Sequence, residues 1–244
     1  MTPHERSARL VGILFIVGTV AGVLSGVLSA PVLGAADFPA NITRDADQLI
    51  LGGLLVLVMG LALAMIPALL FPVFRPYGEV LALGAVIFRG VLEAVAYSGI
   101  ALCWFLLVTL GQVYGRGSAV AAPTLQLLAA LAQEATNWIN LVLGVVFSLG
   151  ALMVYWLFYR SRLIPRWLAG WGFLGGLLYL AAHLVTMFDP LRPPLSLETG
   201  IGVLMTPLAI QEMVLAFWLI VKGFHPAAPA PAGFSLATLV REDH

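Results

Sequence analysis

Charge is scarce in this sequence. Only 10% of its 244 residues are Asp, Glu, Lys or Arg, while 61% are hydrophobic. A soluble domain carries about 25% charged and about 45–50% apolar residues. Water cannot solvate a surface built from so few polar groups, so an ordinary water-soluble domain is excluded and a bilayer-embedded chain is not. Acids and bases balance at twelve each, so no net positive charge attracts nucleic acid and no nucleic-acid partner is expected. Cysteine occurs once, at Cys103 within an apolar run. That excludes an intrachain disulfide and any multi-cysteine metal or iron–sulfur site. Of the four histidines only His183 lies inside an apolar stretch, which argues against a bis-histidine haem within one chain. A Gly-rich phosphate loop with Lys, His-Glu-x-x-His, Gly-x-Ser-x-Gly and an aspartate-rich pyrophosphate motif are all missing. No cofactor is expected, and an enzyme is disfavoured. Intramembrane enzymes can lack such signatures, so that class stays open.

What the chain has is long apolar runs. A span needs about 20 mostly apolar residues, and six segments qualify, at about 9–33, 48–74, 79–110, 134–159, 167–188 and 202–222. Residues 121–133 are also helix-like and extend the fourth helix or lie on the membrane surface. In a bilayer core only helices or closed barrels satisfy their backbone hydrogen bonds. These runs are too long and continuous for barrel strands. The expected fold is all-α, an integral membrane bundle of six transmembrane helices over 1–224, followed by a solvated Pro/Ala-rich tail over 225–244. The first run is longer than the roughly 7–15 residues of a signal-peptide core, so it is read as an uncleaved helix.

Lys and Arg placement sets orientation. Arg6, Arg9, Arg75, Arg160, Arg162, Arg166, Lys222 and Arg241 fall on one side, and Arg44, Arg116 and Arg192 on the other. The excess predicts that both termini are cytoplasmic. Gly18, Gly22 and Gly26 on the first helix and Gly172, Gly175 and Gly176 on the fifth are small-residue faces that let helices approach closely. They fit contacts within the bundle better than contacts between protomers. Pro67 and Pro72 are expected to bend or end the second helix. The tryptophans, with Tyr155 and Tyr159, mostly lie near span ends, as interfacial anchors do.

Ionisable residues inside spans cost roughly 2.5–3.5 kcal/mol each at the helix centre and need a reason. Arg89 lies ten residues from Glu79, and Glu212 lies ten residues from Lys222. At 1.5 Å per residue both sit about 15 Å deep, near the midplane. Glu93 is one turn beyond Arg89 on the same face, and Tyr97 continues that face. Arg89, Glu93 and Glu212 can therefore form one buried cluster with Gln211 and Tyr97. A structural ion network tying the third helix to the sixth is one reading. Another uses the count of two acids and one base: the carboxylate that Arg89 does not satisfy becomes a proton carrier or cation ligand. A third uses Arg89 to receive an anionic headgroup or substrate.

A second polar stripe runs along the fourth helix through Glu134, Asn137, Asn140, Gly144 and Ser148, with His183 expected near the same level. It reads either as interhelical hydrogen bonding or as an outer vestibule in which Glu134 and His183 titrate. A mixed metal site from His183, Glu134 and Asn137 is a remote variant that would need more convergent ligands.

Three stretches carry a family resemblance: FRGVLEA (88–94), IPRWLAGWG (164–172) and QEMVLAFWLIVKGF (211–224). The chain resembles the bacterial membrane family known as domain of unknown function 4386 over about residues 8–224. The resemblance implies a six-span protein of the bacterial inner membrane. It assigns no activity, cofactor or catalytic residue, although Arg89, Glu93, Gln211 and Glu212 fall within the resembling motifs. Three functional classes follow from the sequence. The first is a membrane protein that binds or moves a small molecule, ion or lipid through a polar pocket between the third, fourth and sixth helices. The second is a structural or accessory subunit with a membrane-protein partner. The third is a membrane enzyme acting on lipid. For the second, a glycine-lined outer face and a fully paired, sealed cluster are expected.

Overall fold

The structure is a computed structural model and describes residues 3–34, 42–117, 122–189 and 200–226. Nearly all of the tail assigned to 225–244 lies outside the described residues. So do Arg192 and Arg241. Six long helices follow one another: α1 Pro3–Leu33, α2 Ala46–Phe74, α3 Glu79–Gly115, α4 Ala122–Ser161, α5 Arg166–Phe188 and α6 Thr206–Val221. A short 3-10 turn, Ile201–Leu204, leads into α6. Each unit is long and apolar enough to cross a membrane.

The helices form because a continuous apolar run in lipid has no other way to pair its backbone polar groups. Their outward surfaces remain apolar: Leu61, Val80, Leu102 and Phe217 are all exposed. Aqueous surfaces do not carry apolar area on this scale, whereas acyl chains cover it without cost. The protein is a multi-pass helical membrane bundle. Residues 122–133 do extend the fourth helix, which reaches 40 residues, or about 60 Å. That is twice the hydrocarbon thickness, so α4 is longer than a single crossing requires, and its first turns still bury Leu125, Ala129 and Ala132. α2 continues through Pro67 and ends two residues after Pro72, where the 3-10 turn Arg75–Tyr77 begins.

Each helix packs on its sequence neighbours, and α6 returns to pack on α1. The six helices thus close into a ring. The small-residue faces are used inside it. A β-carbon at Gly18 or Gly22 would strike Leu63 or Met59 of α2, and one at Gly175 would strike Leu208 next to α6's start. Gly172 lies against the Tyr155 ring of α4. Gly26 meets nothing within 4 Å.

Two apolar cores fill the bundle. One draws on all six helices, around Phe15, Ile66, Leu70, Phe158, Leu168 and Leu215. It lies toward the end that carries Arg75, Arg160, Arg166 and Lys222. The other lies toward the opposite end and is built from α1 to α4 and the approach to α2, with Val32, Ile42, Leu49, Ile100, Trp104 and Leu107. Met59 and Tyr97 touch both cores. The ionisable residues sit where the two meet.

Candidate functional site: a buried Arg/Glu cluster at the centre of the ring

The backbone of α3 departs from α-helix over Val86–Leu92, where it forms a π turn. Such a turn bonds i→i+5, shifts the register of everything after it, and recurs at functional sites. Arg89 lies inside this turn. Gly150 of α4 lets it approach: a β-carbon there would lie 2.7 Å from Arg89 Cβ and 2.8 Å from its backbone nitrogen. Helix α4 therefore touches the main chain of α3 at this level. The Arg89 side chain turns into the ring, and the residue is only 1% exposed.

The Arg89 guanidinium finds two kinds of partner there. Its Nη2 donates to Glu212 Oε1 of α6 at 2.6 Å. Its plane lies over the Phe147 ring, 4.2 Å from Cζ to the centroid, with the Phe15 ring further off at 5.8 Å. A charge-assisted hydrogen bond and desolvated cation–π contacts both offset the cost of burying a cation. The contact with Glu93 is looser. Arg89 Nη1 is 3.9 Å from Glu93 Oε2, too long for a hydrogen bond.

Glu93 is the outlier of the site. It is fully buried, and among the described residues neither carboxylate oxygen has a hydrogen-bond partner. Arg89 Nη1 lacks one as well. The Tyr97 phenol faces Glu93 without reaching close hydrogen-bond geometry. A buried carboxylate ordinarily gathers several donors. Glu212, by contrast, holds its guanidinium and keeps 15% of its side chain exposed, the least enclosed of the three.

Gln211 ties α6 to α5 by donating from Nε2 to the Leu168 carbonyl at 3.1 Å, and the Tyr155 phenol faces it from α4. An aromatic column leaves the cluster along α4 and α5. Phe147 lies 4.8 Å from Tyr179, and Tyr179 stacks on His183 at 4.5 Å between centroids. His183 Nδ1 is 2.9 Å from the Tyr179 carbonyl. That oxygen can only accept, so Nδ1 carries the hydrogen.

The structure thus brings together Arg89, Glu93, Glu212, Gln211 and Tyr97. It does not bring His183 to Glu134. His183 packs against Gly144, ten residues along α4 from Glu134, which is about 15 Å of helix. Asn137 is exposed and donates to Glu134 Oε2 at 3.2 Å, and Asn140 donates to the Thr136 carbonyl. The stripe is split between an outward group at Glu134 and Asn137 and a buried group at Gly144 and Ser148. Among the described residues Glu134 and Asn137 do not converge with His183, because α5 ends before it reaches that height.

Sequence reasoning missed four residues of the site: Phe15, Phe147, Tyr155 and Tyr179. Tyr155 is not an interfacial anchor, since it is 1% exposed and lies beside Gln211. Trp104 is buried too, whereas Trp138, Trp156 and Trp167 remain outward as anchors should. The available signal was spacing. Phe147 and Tyr155 lie eight residues apart, and Tyr179 lies one turn before His183.

Fold and site together define a class: a six-helix multi-pass membrane protein with an ion cluster enclosed at the centre of a helical ring. The chain belongs to the family described as domain of unknown function (DUF4386), which it matches over residues 10–223. No curated protein and no solved structure matches it.

Proposed function

We propose that this protein binds a small ion or polar molecule at the centre of its helical ring, and that Glu93 is the group that meets it. One observation carries the reading: Glu93 is wholly enclosed, yet neither of its oxygens has a hydrogen-bond partner among the described residues, while the nearby Arg89 is hydrogen-bonded to Glu212. A network serving only stability would pair all three groups, because an unsatisfied buried charge is destabilising. The glycine faces also favour this reading over an accessory subunit. Gly18, Gly22, Gly172 and Gly175 are occupied by neighbouring helices of the same chain. In this reading the protein lies in the bacterial inner membrane with both termini cytoplasmic, in line with the basic residues gathered at one end.

The test is thermal stability of Glu93→Gln and Glu212→Gln in detergent between about pH 5 and 8. Glu212→Gln should lower the midpoint throughout, because it removes the anionic partner of Arg89. Glu93→Gln should match or exceed the wild type. Equal losses in both variants, with a flat wild-type pH profile, would mean a closed structural network and overturn the proposal.

A further inference from the structure

We propose that Glu93 is a proton-binding site, and that the bundle holds its side chain as the neutral carboxylic acid. This deepens the reading above by naming the ligand of the same site. Three observations lead to it. The first is charge balance. Arg89 supplies one positive charge against Glu93 and Glu212, so two ionised carboxylates would leave a net negative charge in the bundle interior, where charge is most costly. The second is pairing. The guanidinium is hydrogen-bonded to Glu212 at 2.6 Å and stands 3.9 Å from Glu93. The third is the absence of hydrogen-bond donors at close geometry to either Glu93 oxygen among the described residues. An anion needs several; a carboxylic acid needs few and brings its own O–H.

The groups around the Arg89/Glu93/Glu212 cluster support a proton over a metal ion. Helix α1 offers the ring of Phe15, and α2 offers Met59 and Gly60, the latter against Tyr97. Helix α4 offers Phe147 and Tyr155, and α5 offers Tyr179 with His183 stacked behind it. Helix α6 offers Gln211 and Glu212. Arg89 is the single cation in this set, and it lies close enough to repel a second one. A proton bound to a carboxylate oxygen leaves no such charge beside the guanidinium. The Tyr97 phenol is the uncharged polar group that faces Glu93 from its own helix.

The experiment is infrared spectroscopy of the full chain in detergent or lipid at neutral pH, following the carbonyl stretch of protonated carboxyl groups. The wild type should show such a band, sensitive to exchange into heavy water. Glu93→Gln should abolish it and Glu134→Gln should retain it, while Glu212→Gln should weaken it, because Arg89 is then left facing Glu93 alone. If Glu93→Gln fails to fold, Glu93→Asp keeps a carboxyl group and should move the band's frequency. An absent wild-type band, a band surviving Glu93→Gln, or one unmoved by Glu93→Asp overturns the assignment. Replacing choline chloride with sodium or potassium chloride should change nothing. A band lost on adding sodium, with a raised melting midpoint, would identify a metal-cation site and overturn the proton while sparing ion binding. Equal destabilisation by Glu93→Gln and Glu212→Gln would overturn the wider reading instead.

Discussion

Replacing Gly150 by alanine tests how the site is positioned. The added methyl carbon would lie 2.7 Å from Arg89 Cβ, 2.8 Å from its nitrogen and 3.1 Å from its Cα. Carbon atoms in contact settle about 3.5–4.0 Å apart, so α4 and the π turn of α3 would have to separate by roughly 0.8 Å. Two of the three struck atoms are main chain and the third is fixed to it, so no rotamer change can relieve the clash. Overpacking of this kind costs about 1–3 kcal/mol. Alanine's helix preference returns at most about 1 kcal/mol, and less in a bilayer, where the separated helix stays helical. A net loss of about 1–2 kcal/mol is expected. Gly26→Ala is the control: it adds the same methyl group on α1 with nothing within 4 Å. Thermal melts in one detergent should place Gly26→Ala at or above the wild type and Gly150→Ala clearly below it. The Glu93 infrared band should also shift, because the backbone that carries Arg89 has moved. Equal melting points for the two variants would refute the argument that Gly150 holds the π turn in place.

Other consequences are directly measurable. Arg89→Leu should cost about 3–5 kcal/mol, because it strands the Glu212 carboxylate; adding Glu212→Leu should recover part of that loss, and a simple sum of the two single effects would contradict the pairing. Gly172→Ala should lose about 1–3 kcal/mol by overpacking, since its methyl group would enter the ring of Tyr155, which is itself fully enclosed; a neutral result would mean that α4 and α5 are not in close contact there. Tags on both termini should resist added protease in right-side-out vesicles and be cleaved when the vesicles are opened, and cleavage of either tag before opening would reverse the orientation read from the basic residues.

Depth along a helix was legible in the sequence and angle around it was not. Counting from Glu79 and Lys222 placed Arg89 and Glu212 at one level, and they meet at 2.6 Å. The six spans were legible for the same reason, since hydropathy along the chain is a one-dimensional signal. Which residues of α4 and α5 face the centre depends on how the ring closes. A chain apolar on almost every side gives weak guidance there, because lipid and core accept the same side chains. That is why Phe147, Tyr155 and Tyr179 were missed, whereas His183, placed near the level of the polar stripe, does meet its member Gly144. The π turn was hidden for a related reason. Regular i, i+4 spacing put Glu93 directly above Arg89, within easy reach, but the widened turn leaves them 3.9 Å apart.

That gap links the local backbone to the proposed chemistry. In a regular helix, Arg89 and Glu93 at i, i+4 would be set to pair with each other, and Glu212 would be the carboxylate in search of a partner. The π turn re-aims Arg89 across the ring to α6 and leaves Glu93 enclosed without hydrogen-bond partners. Gly150 permits that turn to pack against α4, so a residue without a side chain decides which of two acids keeps the guanidinium. If the folded bundle holds a proton on Glu93 that the separated chain releases, the folded state binds more protons and stability must fall as pH rises, by up to about 1.4 kcal/mol per pH unit for one proton. The sign is diagnostic. An ionised Glu93 stabilised by Arg89 would give the opposite slope, with stability lost on acidification. A melting midpoint that rises with pH in the wild type and not in Glu93→Gln would therefore reject the protonated acid, even with the Arg89–Glu212 pair intact.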